Sequence, residues 1–126
     1  MKRTLLALVI ISLGHVANAQ LANTTWTGTI SAGGGDINAL WRLTADSSYF
    51  YSSDDNSLLD VSVFKVQDST FTVKKVSGLN SCSEAEGVYK FSLKENQLIF
   101  YLVKDECYDR SSALDKVPFT RLGSSR

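Results

Sequence analysis

Gly87-Val88-Tyr89-Lys90-Phe91-Ser92-Leu93, then Lys94-Glu95-Asn96-Gln97, then Leu98-Ile99-Phe100-Tyr101-Leu102-Val103: two apolar-rich runs of similar length flank a short polar stretch. In an extended chain, successive side chains face opposite ways, which puts Tyr89, Phe91 and Leu93 on one face with Val88, Lys90 and Ser92 on the other. On a helix Phe91 would point away from the face shared by Tyr89 and Leu93. The stretch therefore predicts a β-hairpin turning at residues 94–97. On its return limb Leu98, Phe100 and Leu102 alternate with Ile99, Tyr101 and Val103, apolar on both sides, which predicts a strand packed on both faces or facing a cavity.

The same period of two recurs on either side of this hairpin. Upstream, Thr70–Val76 places Phe71 and Val73 opposite Thr72 and Lys74, and the turn Gln67-Asp68-Ser69 joins it to a longer strand over Leu58–Val66. The polar run Ser52–Ser57 precedes that strand. Tyr49-Phe50-Tyr51 then pairs with a half-buried strand in which Ile37, Ala39, Trp41 and Leu43 alternate with Asn38, Leu40, Arg42 and Thr44. Trp26–Ile30 opens the series, and Gly33-Gly34-Gly35-Asp36 supplies positive-φ turn positions after it. Downstream, Val117–Leu122 makes a last strand. Residues 109–116 lack the alternation, and Ser111-Ser112-Ala113-Leu114 there reads as one helical turn. Seven or eight short strands spaced by about 8–12 residues define an all-β sandwich or barrel. Short connections between sequence neighbours favour a small antiparallel up-and-down barrel.

The first nineteen residues differ in kind. Lys2 and Arg3 precede an apolar run from Leu5 to Leu13, and Ala17-Asn18-Ala19 stands before Gln20. This is the layout of a cleavable secretory signal. A membrane-spanning helix needs about 20 apolar residues, and Gly14, His15 and Asn18 interrupt this run. Residues 1–19 are thus read as a signal peptide, 20–122 as one barrel domain and 123–126 as a flexible tail, in a protein exported to the periplasm or secreted. Loss of Lys2 and Arg3 leaves eleven of the thirteen basic residues against thirteen acidic ones, a formal charge of −2. With no basic surplus to neutralise phosphates, nucleic acid is not an expected partner, and a monomer is expected. Cys82 and Cys107 are the two cysteines. In an oxidising compartment they are expected to bond to each other.

Several local patterns resemble small bacterial lipocalin-like proteins of the calycin β-barrel group. Leu21-Ala22-Asn23-Thr24-Thr25-Trp26-Thr27-Gly28 is similar to their first strand, with Thr24 standing where lipocalins proper carry glycine. Gly87–Leu93, Asn96–Phe100, Asp105-Glu106-Cys107-Tyr108-Asp109-Arg110 and Pro118-Phe119-Thr120-Arg121 resemble their late hairpin, their D-x-C-x-x-R stretch and their closing strand. The resemblance implies a barrel with an internal space. It also implies an arginine lying across Trp26 to close the barrel, with Arg121 the first candidate and Arg110 the second.

Chemistry narrows further by what is missing. His15, the one histidine, leaves with the signal. Without imidazole, Ser-His-Asp and Cys-His catalysis and the usual zinc ligands are gone, and a bonded cysteine pair supplies no thiolate. No cofactor or metal is expected. Asp54-Asp55-Asn56 has the composition of a solvated turn, and Asp105 and Asp109 are read as fixing the disulfide loop, with Arg110 as an ion-pair partner. The remaining signal is aromatic. Trp41, Tyr49, Tyr51, Phe64, Phe71, Tyr89, Phe91, Phe100 and Tyr101 lie on predicted strands. All of these but Tyr101 are the candidate lining residues of an interior site. The leading expectation is a non-enzymatic protein that takes a small hydrophobic or amphipathic ligand into its interior. The alternative is a structural or protein-interaction module with a solid core and binding loops; a carboxylate-only enzyme ranks third.

Overall fold

A computed structural model describes residues 20–32, 34–78, 82 and 85–123. The expected signal peptide and the last three residues of the tail lie outside the described residues. Eight antiparallel strands, β1 (Thr24–Ala32), β2 (Gly35–Leu43), β3 (Ser47–Ser52), β4 (Leu58–Gln67), β5 (Thr70–Gly78), β6 (Glu86–Lys94), β7 (Gln97–Lys104) and β8 (Pro118–Arg121), form a closed up-and-down barrel in sequence order. One helix, α1 (Tyr108–Leu114), lies between β7 and β8. Among the described residues, no helix is long and apolar enough to cross a membrane.

The turns explain the tight connections. Glu95 and Asn96 both take positive φ (54° and 70°), the pairing of conformations that matches the twist of a two-residue hairpin. Asp68 does the same at 57° between β4 and β5, a conformation that asparagine and aspartate tolerate better than most residues.

One end of the barrel is filled. Trp41 stacks on Phe50 with centroids 4.6 Å apart, and its ring also meets Phe100 at 5.3 Å, Phe119 at 5.0 Å and Phe71 edge-on at 6.1 Å. Phe64 stacks on Phe71. These rings, with Leu21, Leu43 and Leu98, make the core. Beneath them Trp26 is fully buried, and its Nε1 donates to Thr24 Oγ1 at 2.8 Å while Thr24 Oγ1 donates to the Leu21 carbonyl. A glycine at position 24 could do neither, so threonine here satisfies an indole N–H that burial would otherwise leave unpaired. Arg121, opposite Trp26 in the β1–β8 ladder, lies 5.9 Å from its ring centroid. Arg110 is not there; it sits on α1 and walls the opposite, hollow end.

β8 is too short to close the barrel along its whole height. It pairs with β1 only at Trp26–Thr27 and with β7 only at Gln97–Ile99. Above it α1 packs against both β1 and β7 in place of more strand. Asp115, just after the helix, accepts the Leu102 backbone N–H through its carboxylate at 2.8 Å, and the Lys116 N–H donates to the Phe100 carbonyl at 2.7 Å. The disulfide Cys82–Cys107, Cα atoms 5.3 Å apart, ties the start of α1 to the segment between β5 and β6.

Two expectations are corrected. The return limb of the late hairpin is not packed on both faces: Ile99 is half-buried, Tyr101 and Val103 are exposed on the outer surface of the single-layered barrel, and Leu102, in phase with the buried Leu98 and Phe100, is exposed as well, beyond the stretch of β7 that β8 pairs. In β3, the inward positions are Ser48 and Phe50, and Tyr49 and Tyr51 are half-buried positions between and beyond them. Register dictates this: Phe50 stands directly opposite Trp41 and shares its face, so Tyr49 and Tyr51 must take the other.

Candidate functional site

Above the Trp41–Phe50 stack the barrel is hollow. A half-enclosed cavity of about 280 Å³ is floored by these two rings and walled by Ile30, Ile37, Leu59 and Val73 from β1, β2, β4 and β5, with Ala113 and Leu114 closing from α1. The interior is thus solid at one end and open at the other. The volume is about twice that of a cavity that holds benzene, and just under the ~300 Å³ at which drug-sized pockets begin. It suits a molecule of about two fused rings or a short branched chain.

Five polar residues interrupt the apolar wall: Ser48, Asp60, Ser62, Asp109 and Arg110. Ser48 and Ser62 face each other across the β3–β4 ladder, both almost fully buried. Ser48 Oγ accepts from Trp41 Nε1 at 2.7 Å, and Ser62 Oγ donates to Asp60 Oδ2 at 2.9 Å.

Arg110 is 7% exposed and is held by a carboxylate with no exposure, Asp105. Arg110 Nε donates to Asp105 Oδ2 at 2.7 Å, and Nη2 donates to Oδ1 at 2.9 Å and to the Ala85 carbonyl at 2.9 Å. Tyr89 Oη donates to Oδ2 and the Cys107 backbone N–H to Oδ1. Four donors therefore converge on one carboxylate, from β6, from the start of α1 and twice from its middle. Burial works to raise the Asp105 pKa, but the hydrogen bonds from Arg110 and Tyr89 outweigh it and hold the carboxyl below its ordinary value. Tyr89 moves up, by burial first and then by its bond to this anion. Arg110 is lifted too: desolvation opposes the charge, and Asp105 more than restores it. Gly87 makes room for the cluster, since a Cβ there would collide with the Asp105 carboxylate.

Of the eight aromatic residues expected to line an interior site, the cavity takes Trp41. Phe64, Phe71, Tyr89 and Phe100 are buried, Phe91 is partly buried against the core, and Tyr49 and Tyr51 stand out of phase with Phe50. The wall residues missed by sequence reasoning, Phe50, Ser48 and Ser62 among them, carry a signal only through register: once Trp41 is inward, its cross-strand partner Phe50 is as well. Asp54 and Asp55 lie at the exposed β3–β4 connection, where Asp55 accepts from the Ser57 hydroxyl and N–H, bonds that lower its pKa. Among the described residues no group of three or more acidic, histidine or cysteine side chains is placed to hold a metal.

Fold and site define a class: an all-antiparallel, eight-stranded closed barrel of calycin-like shape, one end filled with aromatic rings and the other hollow beneath a disulfide-tethered helix. Comparison with family models, curated proteins and solved structures yields no match.

Proposed function

We propose that this is an exported, non-enzymatic binding protein of lipocalin-like type, which takes a small, mostly apolar molecule into the cavity under α1. The observation that carries the reading is the half-enclosed, largely apolar hollow above Trp41 and Phe50, with a few polar groups at fixed places in its wall. Packed interiors leave few voids larger than a water molecule, and a hollow of this volume forgoes stabilising contacts unless something occupies it. Export is supported by the signal-like first nineteen residues and by the disulfide, which persists in oxidising compartments. Absence of histidine from residues 20–126 supports a role in binding over one in catalysis.

The test is saturable binding of a fluorescent apolar probe by wild type and by Ala113→Phe. The larger ring, on the helix face lining the cavity, is expected to abolish binding without unfolding the barrel. Equal binding by both proteins would remove the cavity from consideration.

A second reading, a protein-interaction module, draws on the exposed Tyr101, Leu102, Val103 and Tyr108. Their replacement by serine would leave probe binding intact and abolish partner binding if that surface were the functional one.

A further inference from the structure

The outer wall of the barrel is unevenly charged. On β4 to β7 the inward positions are held by Phe64, Phe71, Val73, Tyr89 and Phe100, so the residues between them face out. Lys65, Thr72, Val88 and Lys104 make one cross-strand row over these four strands. The row on one side places Lys74 between Val63 and Glu86, and the row on the other places Lys90 between Thr70 and Tyr101. With strands about 4.8 Å apart and a rise of about 3.4 Å per residue, the three rows cover a field about 14 Å on a side. Four lysines stand on it against one glutamate, a formal +3, in a chain whose residues 20–126 sum to −2. All four are exposed, and among the described residues none of them is ion-paired. Asp68 in the β4–β5 turn and Glu106, two residues past Lys104, border the field at opposite ends, and Lys94 extends it along β6. Charges more than about 8 Å away are screened at physiological salt, so the field acts by its own balance and not by that of the chain.

We propose that this outer face of β4–β7 docks the barrel side-on against an anionic phospholipid surface. Apolar side chains are interleaved with the lysines: Val63 and Tyr101 are 43% and 42% exposed, and Val103, the next outward position of β7, is 55% exposed. Such a mixture suits the headgroup layer, where apolar groups enter the acyl boundary and lysine stems lie along them with the ammonium groups at the phosphates. The choice of cation points the same way. Lysine carries a mobile point charge, which suits a fluid field of phosphates, whereas arginine suits fixed, bidentate partners. Arg42, Arg110 and Arg121 lie on β2, α1 and β8, away from this face. The inference goes beyond the binding-protein reading and does not depend on it, since Val73 reaches the cavity from the opposite face of β5 and none of the four lysines lines the hollow.

Co-sedimentation of the mature protein with vesicles at about 0.1 M salt tests this. Vesicles of phosphatidylglycerol and phosphatidylethanolamine are expected to bind it, and vesicles of phosphatidylcholine alone are not. Each lysine near an anionic surface raises affinity roughly fivefold, so Lys65→Gln with Lys90→Gln should weaken binding about 25-fold. Arg42→Gln with Lys116→Gln removes the same charge from exposed positions off the face and should change binding less than about threefold. Tyr101→Trp gives a second readout: its emission should move to the blue on the phosphatidylglycerol vesicles, over the constant signal of the buried Trp26 and Trp41. Absence of binding to those vesicles, equal binding to phosphatidylcholine, or equal losses in the two double variants would overturn the inference. So would binding with no shift in the Tyr101→Trp emission, which would put another face on the membrane. Tighter capture by soluble dextran sulfate than by vesicles would overturn it in favour of an anionic polysaccharide.

Discussion

Replacing Asp105 by asparagine keeps the side chain's shape and removes its charge, which isolates what the carboxylate does beneath α1. Four donors meet it, two on each oxygen. Asparagine has one acceptor oxygen, and its amide nitrogen must face two of those donors. Arg110, 7% exposed, would be left without its counter-ion. Breaking a buried pair by removing one partner costs about 3–5 kcal/mol; the bonds asparagine retains place the expectation near the lower end, about 3 kcal/mol. In urea, with an m value of about 1–3 kcal/mol/M, the midpoint would fall by about 1–3 M. The sign of the pH dependence follows from the depressed pKa of Asp105. The unfolded carboxyl takes up a proton near pH 3.9 and the folded one only at lower pH. Its contribution is therefore complete above that value and is lost as the pH falls through the folded pKa. Wild type and Asp105→Asn should differ most at neutral pH and converge as the pH drops below about 4. A difference under about 1 kcal/mol at pH 7 would refute the account of Asp105 as the anchor of α1. A difference of equal size at neutral and acid pH would show that the charge is not its source.

Removing the disulfide by Cys82→Ser together with Cys107→Ser opens a loop with a sequence separation of 25. Loop-closure entropy predicts a loss of about 3.5 kcal/mol, measurable by chemical denaturation under non-reducing conditions, and a loss below about 1 kcal/mol would contradict it. Gly87→Ala puts a methyl group into the Asp105 carboxylate, so it should destabilise the fold by about 1–3 kcal/mol, as overpacking does. In an Asp105→Asn background the same change should cost measurably less, since the network it disturbs is already weakened; a double-mutant cycle reads the coupling.

Strand order was legible in the sequence because alternation, short polar connections and a near absence of proline all point to neighbouring strands pairing in turn. The bounds move by up to two residues at each end, as with β1, which begins at Thr24 where periodicity begins at Trp26. Residues 109–116 stand out in the sequence by breaking the alternation, but not as a wall of the barrel, because a seven-residue helix reveals its partners only through the gap left by a short β8. Lining residues were least legible. Tyr49 and Tyr51 attract attention by their size, yet the phase of β3 is set by Trp41 across the ladder, and in isolation Tyr-Phe-Tyr reads equally well in either phase. The sequence suggests Asp105 and Asp109 as braces of the disulfide loop with Arg110 as an ion-pair partner, and the structure pairs Arg110 with Asp105. That Arg110 and Asp109 line the cavity is not legible in the sequence, since it depends on how α1 lies over the barrel.

The short β8 also decides where the molecule can part. Along β1 beyond Thr27 and β7 beyond Ile99, the cylinder is joined to α1 by side chains and isolated backbone bonds, not by a continuous ladder. On the binding-protein reading, a guest would pass by displacing this one panel, with the seven longer strands keeping their pairing throughout. The sulfur bridge would hold the panel at one corner, as a hinge does, so that exchange of cargo and integrity of the shell need not compete.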